Sequence, residues 1–261
     1  MTKMIWLQSF FIAFAMYSLV PVPIFTWNEK NMRYAMAFLP WVGVLCTILM
    51  AGWQRLSGVL EIQAGLAAAV MAALPVLISG GIHFDGFCDT VDALSSHKSR
   101  EEKLDILKDS RTGAFAVFVT VFFVLVEYGV WQQLCQMDPQ YLWVAIHTPI
   151  LTRCLSGISV MTFPSARKNG LAATFAGMAA KRRTAAALAV QGFLCAAWML
   201  YLSPIAAGMA LLVLLIWFWR YHTICIRGFG GITGDLAGFF LTVAEFLLPC
   251  TVTLTALVLR L

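Results

Sequence analysis

The chain has 261 residues, of which 61% are apolar and 12% are charged, and its mean hydropathy is +0.82. Ordinary soluble domains use about 45–50% apolar residues, so the composition excludes that class and indicates a polytopic membrane protein. The net charge of +5 indicates contact with anionic membrane lipid and gives no reason to expect a nucleic-acid partner.

Apolar runs of roughly 20 residues cross a bilayer as helices, which satisfy their own backbone hydrogen bonds. The predicted fold class is therefore all-α: a single membrane-embedded domain over residues 1–261, built as a helical bundle with about seven or eight spans. The first run also has the position of a signal peptide, but it is long for one and lacks a clean cleavage site. The predicted spans are Met4–Phe25, Tyr34–Trp53, Val59–Ser79, Gly113–Cys135, Tyr141–Phe163, Ala185–Leu202, Pro204–Ile226 and Leu236–Leu259.

Positive charge is concentrated in alternate loops of this arrangement. Basic residues lie in 98–111, in 167–183 and at 220–227, whereas 136–140 and 202–204 carry none. Cationic loops stay in the cytoplasm, so the three basic loops are predicted to share the cytoplasmic side. The seven cysteines are scattered singly without a CxxC pair, which indicates neither a zinc site nor a disulfide framework.

The stretch 79-SGGIHFDGFCDTVDALSS-96 places negative charge directly after an apolar run. Asp85, Asp89 and Asp92 are spaced four and three residues apart, which puts their carboxylates on one face of a helix. Carboxylates this close repel one another unless a cation joins them, and an all-carboxylate face suits Mg²⁺ held together with substrate phosphates. The alternative is that the aspartates only solvate a helix start and favour its dipole.

Residues near this face are candidates for the same site. Asp109 and Asp235 lie where the chain returns to the membrane on the same side, and both are candidate metal ligands. Arg111 is a candidate for stabilising charge on a transferring phosphate, with a salt-bridged turn as the alternative. For His83, a general base, a phosphate contact and an interfacial histidine stay equally open.

Substrate contacts are predicted from cations and glycine-rich turns. Glycines let the backbone approach a ligand and present amides to phosphate, although helix packing also explains them. Arg153 lies inside a span and needs an anionic partner or ligand. Glu245 is predicted to share a cavity with Asp235, whereas a hydrogen bond within the bundle is predicted for Glu127. The candidate substrate-binding residues are Gly80, Gly81, Arg153, Arg167, Lys168, Gly170, Gly231, Thr233, Gly234 and Glu245.

Four segments, in one order and spacing, resemble a known family: GGIHFDGFCDTVDAL, KDSRTGAFA, PSARKNGLA and GGITGDLAGFF. Together they resemble the cobalamin 5′-phosphate synthases, also called adenosylcobinamide-GDP ribazoletransferases, across nearly the whole chain. Any one segment is a weak signal, whereas four in register are specific. The chain departs from the family at Cys88 and Val91, where small residues are more usual, and at 95–97, where a further glycine is expected.

The resemblance implies a Mg²⁺-dependent catalytic domain in the bacterial cytoplasmic membrane, with its active site facing the cytoplasm. It implies that the ribose 3′-hydroxyl of α-ribazole, or of its 5′-phosphate, attacks the phosphorus next to the aminopropanol linker of adenosylcobinamide-GDP, and that GMP departs. Mg²⁺ on Asp85, Asp89 and Asp92 then stabilises the phosphates, and Asp92 and His83 are the candidate bases. Other cobamide-assembly enzymes are candidate partners, while surrounding lipid explains the apolar surface, which therefore does not indicate an oligomeric state.

Three other classes have related features. A CDP-alcohol phosphotransferase also spaces aspartates by four, but its Asp-Gly-x-x-Ala-Arg element is absent because Asp85-Gly86 leads to Cys88-Asp89. An intramembrane prenyltransferase typically has two acidic clusters of this kind, and only one is present in this sequence. A cation-coupled transporter predicts an internal repeat and charges at mid-membrane; the sequence has no evident repeat, and its charges are concentrated at the predicted cytoplasmic ends.

Overall fold

The protein, in a computed structural model, is described over residues 2–109, 111–167 and 170–261. Within these residues the chain forms thirteen α-helices and no β-strand. Lys168, one of the predicted substrate contacts, lies outside the described residues. The helices are α1 (Thr2–Tyr17), α2 (Glu29–Met32), α3 (Leu39–Val59), α4 (Ala64–Ile78), α5 (Ile82–Ser95), α6 (Arg100–Ile106), α7 (Ala114–Leu134), α8 (Pro139–Ile146), α9 (Thr148–Thr162), α10 (Leu171–Met178), α11 (Lys181–Leu202), α12 (Pro204–Thr223) and α13 (Gly234–Val258).

The described residues contain six helical segments long and apolar enough to cross a membrane, or seven if the bent pair α4 and α5 is one span. The predicted all-α membrane bundle is therefore confirmed, and the lower expected number of seven spans is reached only when the bent pair is counted as one. α8 and α9 join into one such segment, and a short π-helix extends α12. The six segments are Ala35–Val59, Ala114–Leu134, Pro139–Thr162, Lys181–Leu202, Pro204–Phe229 and Gly234–Val258.

The first predicted span, Met4–Phe25, is wrong in its length. α1 ends at Tyr17 after 16 residues, and the irregular segment that follows contains Pro21 and Pro23, which cannot continue a helix. The Trp6 ring near its beginning stacks on Tyr34 with 4.3 Å between ring centroids, and Tyr17 at its end stacks on His83. Since Tyr34 precedes the α3 segment and His83 follows α4, both ends of α1 contact the same end of the bundle.

The third predicted span, Val59–Ser79, is also different in the structure. Val59 belongs to α3, and α4 has only 15 residues before the chain bends by 90° into α5. Gly80 and Gly81 form this bend with φ of 63° and 77°, a left-handed conformation that a residue without a Cβ adopts at no steric cost. The bend turns the acidic stretch across the end of the bundle.

The three basic loops meet at one end of the bundle, as the charge pattern predicts. Arg167 donates a hydrogen bond to the carbonyl of Leu104. Ile232 donates its backbone N–H to Pro164 at 2.8 Å, so the loop before α13 contacts the loop after α9. We call this end, formed by residues 79–113, 163–167 and 228–235, the polar end.

Candidate active site

The acidic stretch forms a helix, which confirms the helical spacing read from the sequence. α5 begins after the left-handed Gly81 and carries all three aspartates. Asp85 is exposed, whereas Asp89 and Asp92 are half-buried. Since each carboxylate has different neighbours, the three side chains have different environments despite their shared helix face.

α5 crosses α13 with almost no space between the two backbones. A Cβ on Gly86 would lie 2.7 Å from the carbonyl oxygen of Asp235, and a Cβ on Gly238 would lie 2.8 Å from that of His83. Thr242 strengthens the crossing, because its hydroxyl donates to the carbonyl of His83 at 3.2 Å. Small residues allow this kind of close helix approach in membranes. The two glycines therefore bring the start of α5 against the start of α13.

An acidic cavity of about 220 Å³ lies at this crossing. Asp85 and Asp235 contribute carboxylates to it from the two helices, and Asp89, one turn further along α5, is close enough to both to experience their charges. The side chain of Asp235 also accepts a hydrogen bond from Thr233 at 3.3 Å. The polar side chains that line the acidic cavity are those of Tyr17, His83, Asp85, Ser156 and Asp235.

Asp92 binds the beginning of α7. Its two carboxylate oxygens accept the backbone N–H groups of Gly113 at 2.5 Å and Ala116 at 3.0 Å. A carboxylate there satisfies amides that a helix start leaves unpaired and is favoured by the helix dipole. A Cβ on Gly113 would lie 2.6 Å from Asp92 Oδ1, so glycine here lets the carboxylate approach the start of α7 closely. In this conformation Asp92 holds α5 to α7.

His83 is buried at the inner wall of the acidic cavity. The residue is only 8% exposed, and its ring stacks on that of Tyr17 with 5.9 Å between the ring centroids. Nε2 has no hydrogen-bond partner within the described chain. A buried imidazole nitrogen usually has such a partner, so this atom is available to a ligand or water.

Asp109 and Arg111 form an exposed ion pair outside the acidic cavity. Arg111 Nη2 lies 2.7 Å from Asp109 Oδ2, and the arginine side chain is 87% exposed. Hydrogen bonds from Arg111 lower the pKa of the Asp109 carboxyl to about 2, so this carboxylate is charged at neutral pH and already has a cationic partner. This is the salt-bridged turn that the sequence left open as the alternative for Arg111.

The glycine-rich turn before α13 contacts two arginines. The Arg100 guanidinium packs against Gly230, where a Cβ would lie 2.7 Å from Nη1, and the charge of Arg167 acts on Asp235. Thr233 caps α13 by accepting the N–H of Leu236 at 3.2 Å. The turn therefore places a helix N-terminus and two cations beside the acidic cavity.

One of the predicted glycine contacts, Gly231, has an evident structural role as well. Gly231 packs against the carbonyl of Pro164, which a Cβ would meet at 2.3 Å, so it allows the two loops to touch. Gly170 is exposed at the start of α10, and among the described residues no atom lies within 4 Å of the position that a Cβ would take there.

Arg153 and Glu245 form an ion pair deep in the bundle, away from the polar end. Arg153 is fully buried, and its Nη1 donates to Glu245 Oε1, which also accepts the hydroxyl of Thr152 at 3.2 Å. Arg153 thus has the anionic partner that its position in a span requires. Glu245 lines a separate, smaller cavity from that of Asp235, so the structure does not bring these two predicted residues together.

Tyr17, Arg100 and Ser156 line or adjoin the site, yet the sequence does not single them out. Tyr17 lies at the end of an apolar helix, and Ser156 is one hydroxyl among several in α9. Of these three residues, only Arg100 could have been identified from the sequence, because it belongs to the basic loop that follows the aspartates.

The fold and site define a class of protein, an all-helical, multi-pass membrane protein with a carboxylate-lined cavity at its polar end. Cations and a helix N-terminus lie beside this cavity, and these groups are suited to phosphate ligands. The sequence profile of the family described as cobalamin-5-phosphate synthase matches residues 9–253. The chain belongs to this family.

Individual relatives agree with the family match. A protein of Lachnoclostridium phytofermentans is 39% identical over 242 residues, which cover 93% of this chain and 92% of the relative. One from Halalkalibacterium halodurans is 30% identical, covering 89% of this chain and 90% of the relative. One from Geotalea daltonii is 30% identical, covering 96% and 98%. All three are named adenosylcobinamide-GDP ribazoletransferase. No solved structure matches the chain.

Proposed function

We propose that this chain joins α-ribazole, or its 5′-phosphate, to adenosylcobinamide-GDP and releases GMP, a late step in cobalamin assembly. The family match and the names of the relatives support this reaction. The observation that carries it is the acidic cavity, where Asp85 of α5 and Asp235 of α13 line one space. The nucleophilic hydroxyl forms a new bond to phosphorus, the bond to GMP breaks, and the hydroxyl proton passes to a base.

We propose Mg²⁺ as the cofactor, held by Asp85, Asp89 and Asp235. The described residues contain no group of three acidic, histidine or cysteine side chains already arranged to hold a metal ion. Magnesium sites of nucleotide-using enzymes commonly have one or two protein carboxylates completed by substrate phosphates. The carboxylates of Asp85 and Asp235 line one cavity and fit that pattern, and Asp89 lies one turn along α5 from them. When bound, the ion neutralises charge on the transferring and leaving phosphates.

Among the candidate bases, the structure favours His83 over Asp92. Both oxygens of Asp92 accept backbone amides of α7, whereas His83 Nε2 is unpaired among the described residues and lines the acidic cavity. A neutral imidazole can accept the proton of the attacking hydroxyl. Asp92 then acts as a positioning residue that fixes α5 relative to α7.

Phosphate groups of the substrate are proposed to bind at the glycine-rich turn before α13. The free amides at a helix start favour anions. The Arg100 side chain contacts this turn, and Arg167 is close enough to Asp235 for the two charges to interact. Arg153 has no part in this contact, since it is paired with Glu245 inside the bundle.

The polar end is proposed to face the cytoplasm of a bacterial inner membrane. Basic loops are retained in the cytoplasm, and the three basic loops lie at this end. The nucleotide-bearing substrate then reaches the acidic cavity from the cytoplasm.

The test is GMP release by the detergent-solubilised protein supplied with adenosylcobinamide-GDP, α-ribazole phosphate and Mg²⁺. The proposal expects GMP only when all three are present. Replacing adenosylcobinamide-GDP with CDP-diacylglycerol or a prenyl diphosphate should give no transfer product. GMP release that needs no riboside, or transfer from either replacement donor, would contradict the assignment.

A further inference from the structure

An apolar cavity of about 330 Å³ lies between α9, α11 and α12. We call it the α11 groove. It opens onto the outer surface of the bundle, because two of the residues that line it, Phe193 and Leu215, are 71% and 63% exposed. Close-packed helices leave few voids larger than a water molecule, so an apolar molecule would complete the packing here. The wall contributed by α11 consists of Leu188, Ala189, Gly192, Phe193 and Ala196.

The α11 groove lies in the half of the membrane nearer the polar end. Helix α11 begins at the same end as the basic loops, where the N–H of Ala180 donates to the carbonyl of Arg33 at 3.1 Å. The lining residues of α11 begin at Leu188 and end at Ala196, which is about 12 Å along the helix axis. One leaflet of the hydrocarbon core is about 15 Å thick. The depth of the groove therefore matches the acyl region of a single leaflet.

Three cations occupy the first turn of α11 without an anionic partner. Lys181, Arg182 and Arg183 are exposed, and none of them makes a salt bridge within the described chain. The positive end of the helix dipole disfavours cations at this position. The segment 29–33, which the Ala180 hydrogen bond joins to this helix start, carries two cations and one carboxylate. An anion from outside the chain would offset this unfavourable positive charge.

Polar side chains lie above two walls of the α11 groove. Arg182 precedes Ala189 by seven residues on α11, and on α12 His222 follows Leu215 by seven. Residues seven apart share one helix face, so each polar residue lies about 10 Å above a groove residue, toward the polar end. The ring of Phe163 packs edge-on against the exposed His222 with 4.7 Å between ring centroids. The groove thus combines an apolar interior with a polar, positively charged rim.

We propose that the α11 groove binds one anionic phospholipid of this leaflet. The lipid phosphate accepts hydrogen bonds from the guanidinium of Arg182 and the imidazole of His222, and one acyl chain lies in the apolar cavity. Hydrogen bonds from arginine to phosphate are charge-assisted and strong, and basic segments beside a membrane attract anionic lipids. The lipid completes the packing of α9, α11 and α12. Because the groove is separate from the acidic cavity, the inference does not depend on the proposed transfer reaction.

Native mass spectrometry of the full-length protein in a nonionic detergent tests the headgroup preference. Dioleoylphosphatidylglycerol and dioleoylphosphatidylcholine, which have the same acyl chains, are compared at equal concentration. One phosphatidylglycerol should stay bound per chain, with an affinity at least about tenfold higher than that of phosphatidylcholine. Arg182→Gln should remove this preference. Lys98→Gln, the same charge change at another exposed position near the polar end, is the matched control and should bind like the unchanged protein.

Thermal unfolding tests the acyl-chain part of the site. Saturating phosphatidylglycerol should raise Tm by about 5–10 °C, whereas glycerol 3-phosphate, which has no acyl chain, should not raise it. Ala189→Trp fills the cavity and should abolish the rise. Ala197→Trp adds the same side chain at an exposed position of α11 outside the groove and should retain the rise. The Arg182→Gln measurement stands by itself if Ala189→Trp does not fold.

Four results would overturn the proposal. Equal affinity for the two lipids would remove the anionic headgroup, and an equal loss of affinity in Lys98→Gln and Arg182→Gln would remove the specific site. A rise in Tm with glycerol 3-phosphate as large as that with the lipid would remove the acyl chain. A dimer that forms in lipid-free detergent and is lost in Ala189→Trp would place a second copy of the chain in the groove instead of a lipid.

Discussion

Asp92 shows that neighbours in one acidic cluster have different chemistry. It shares a helix face with Asp85 and Asp89, yet its two oxygens accept the first free amides of α7. Its neighbours have no such contact among the described hydrogen bonds and lie beside Asp235. At the scale of single residues, partner atoms decide the role of a carboxylate that spacing alone makes equivalent.

Asp92→Ala is therefore expected to reduce stability. Loss of a helix-capping carboxylate costs about 1 kcal/mol, which lowers Tm by about 2–4 °C for a chain of this size. Thermal unfolding in detergent measures the change. Asp92→Asn retains one acceptor oxygen, so its Tm should lie between that of Asp92→Ala and that of the unchanged protein. GMP release should fall less in Asp92→Asn than in Asp89→Asn, and the reverse order would return Asp92 to the metal ligands.

The crossing of α5 and α13 determines the site at the scale of elements. Gly86 and Gly238 each face the backbone of a candidate site residue on the other helix, Asp235 and His83 respectively. No wider residue at either position fits without moving one helix. The distance between the carboxylates of α5 and α13 therefore depends on the absence of a Cβ atom at Gly86 and at Gly238.

Gly86→Ala is expected to impair activity without touching substrate. The new Cβ would lie 2.7 Å from a carbonyl oxygen of α13, and relieving that overlap costs about 1–3 kcal/mol. A displacement of about 1 Å at a reacting site lowers the rate about 100-fold, which a GMP assay detects. Gly208→Ala, with nothing within 4 Å of its Cβ, is the control. Equal activity of the two variants would show that the crossing does not control the site.

The whole molecule has a polar end with basic loops and an opposite end with few charges. At the opposite end Arg260 lies 3.8 Å from Asp138, so the residues that follow α13 and the turn before α8 are on the same side. Since basic loops stay in the cytoplasm, this second end is expected to face outward.

Fusion reporters test that orientation. Alkaline phosphatase, which is active only outside the cytoplasm, should be active when fused after Leu261 and inactive when fused after Arg167. Green fluorescent protein should give the opposite pattern. Phosphatase activity after Arg167 would place the acidic cavity outside the cytoplasm and contradict the proposed orientation.

The sequence predicts the helical class, the basic loops at one end and the helical aspartates, because hydropathy, charge and spacing are local properties. It also assigns Asp235 to the same candidate site as Asp85, but it does not predict that Glu245 pairs with Arg153, since helices distant in sequence meet there. The sequence also predicts, wrongly, that the first span continues beyond Tyr17. The apolar composition continues there, but the segment contains prolines and the helix has ended. Contacts between distant segments are what composition and periodicity leave open.

The most direct test of the central claim is a double-mutant cycle on Asp85 and Asp235, measured as GMP release in the presence of Mg²⁺. If both carboxylates serve one site, each change to asparagine should lower the rate about 100-fold or more, and the double variant should lose little beyond the single ones. Undiminished GMP release from either single variant, or losses that multiply in the double variant, would contradict a shared catalytic site in the acidic cavity.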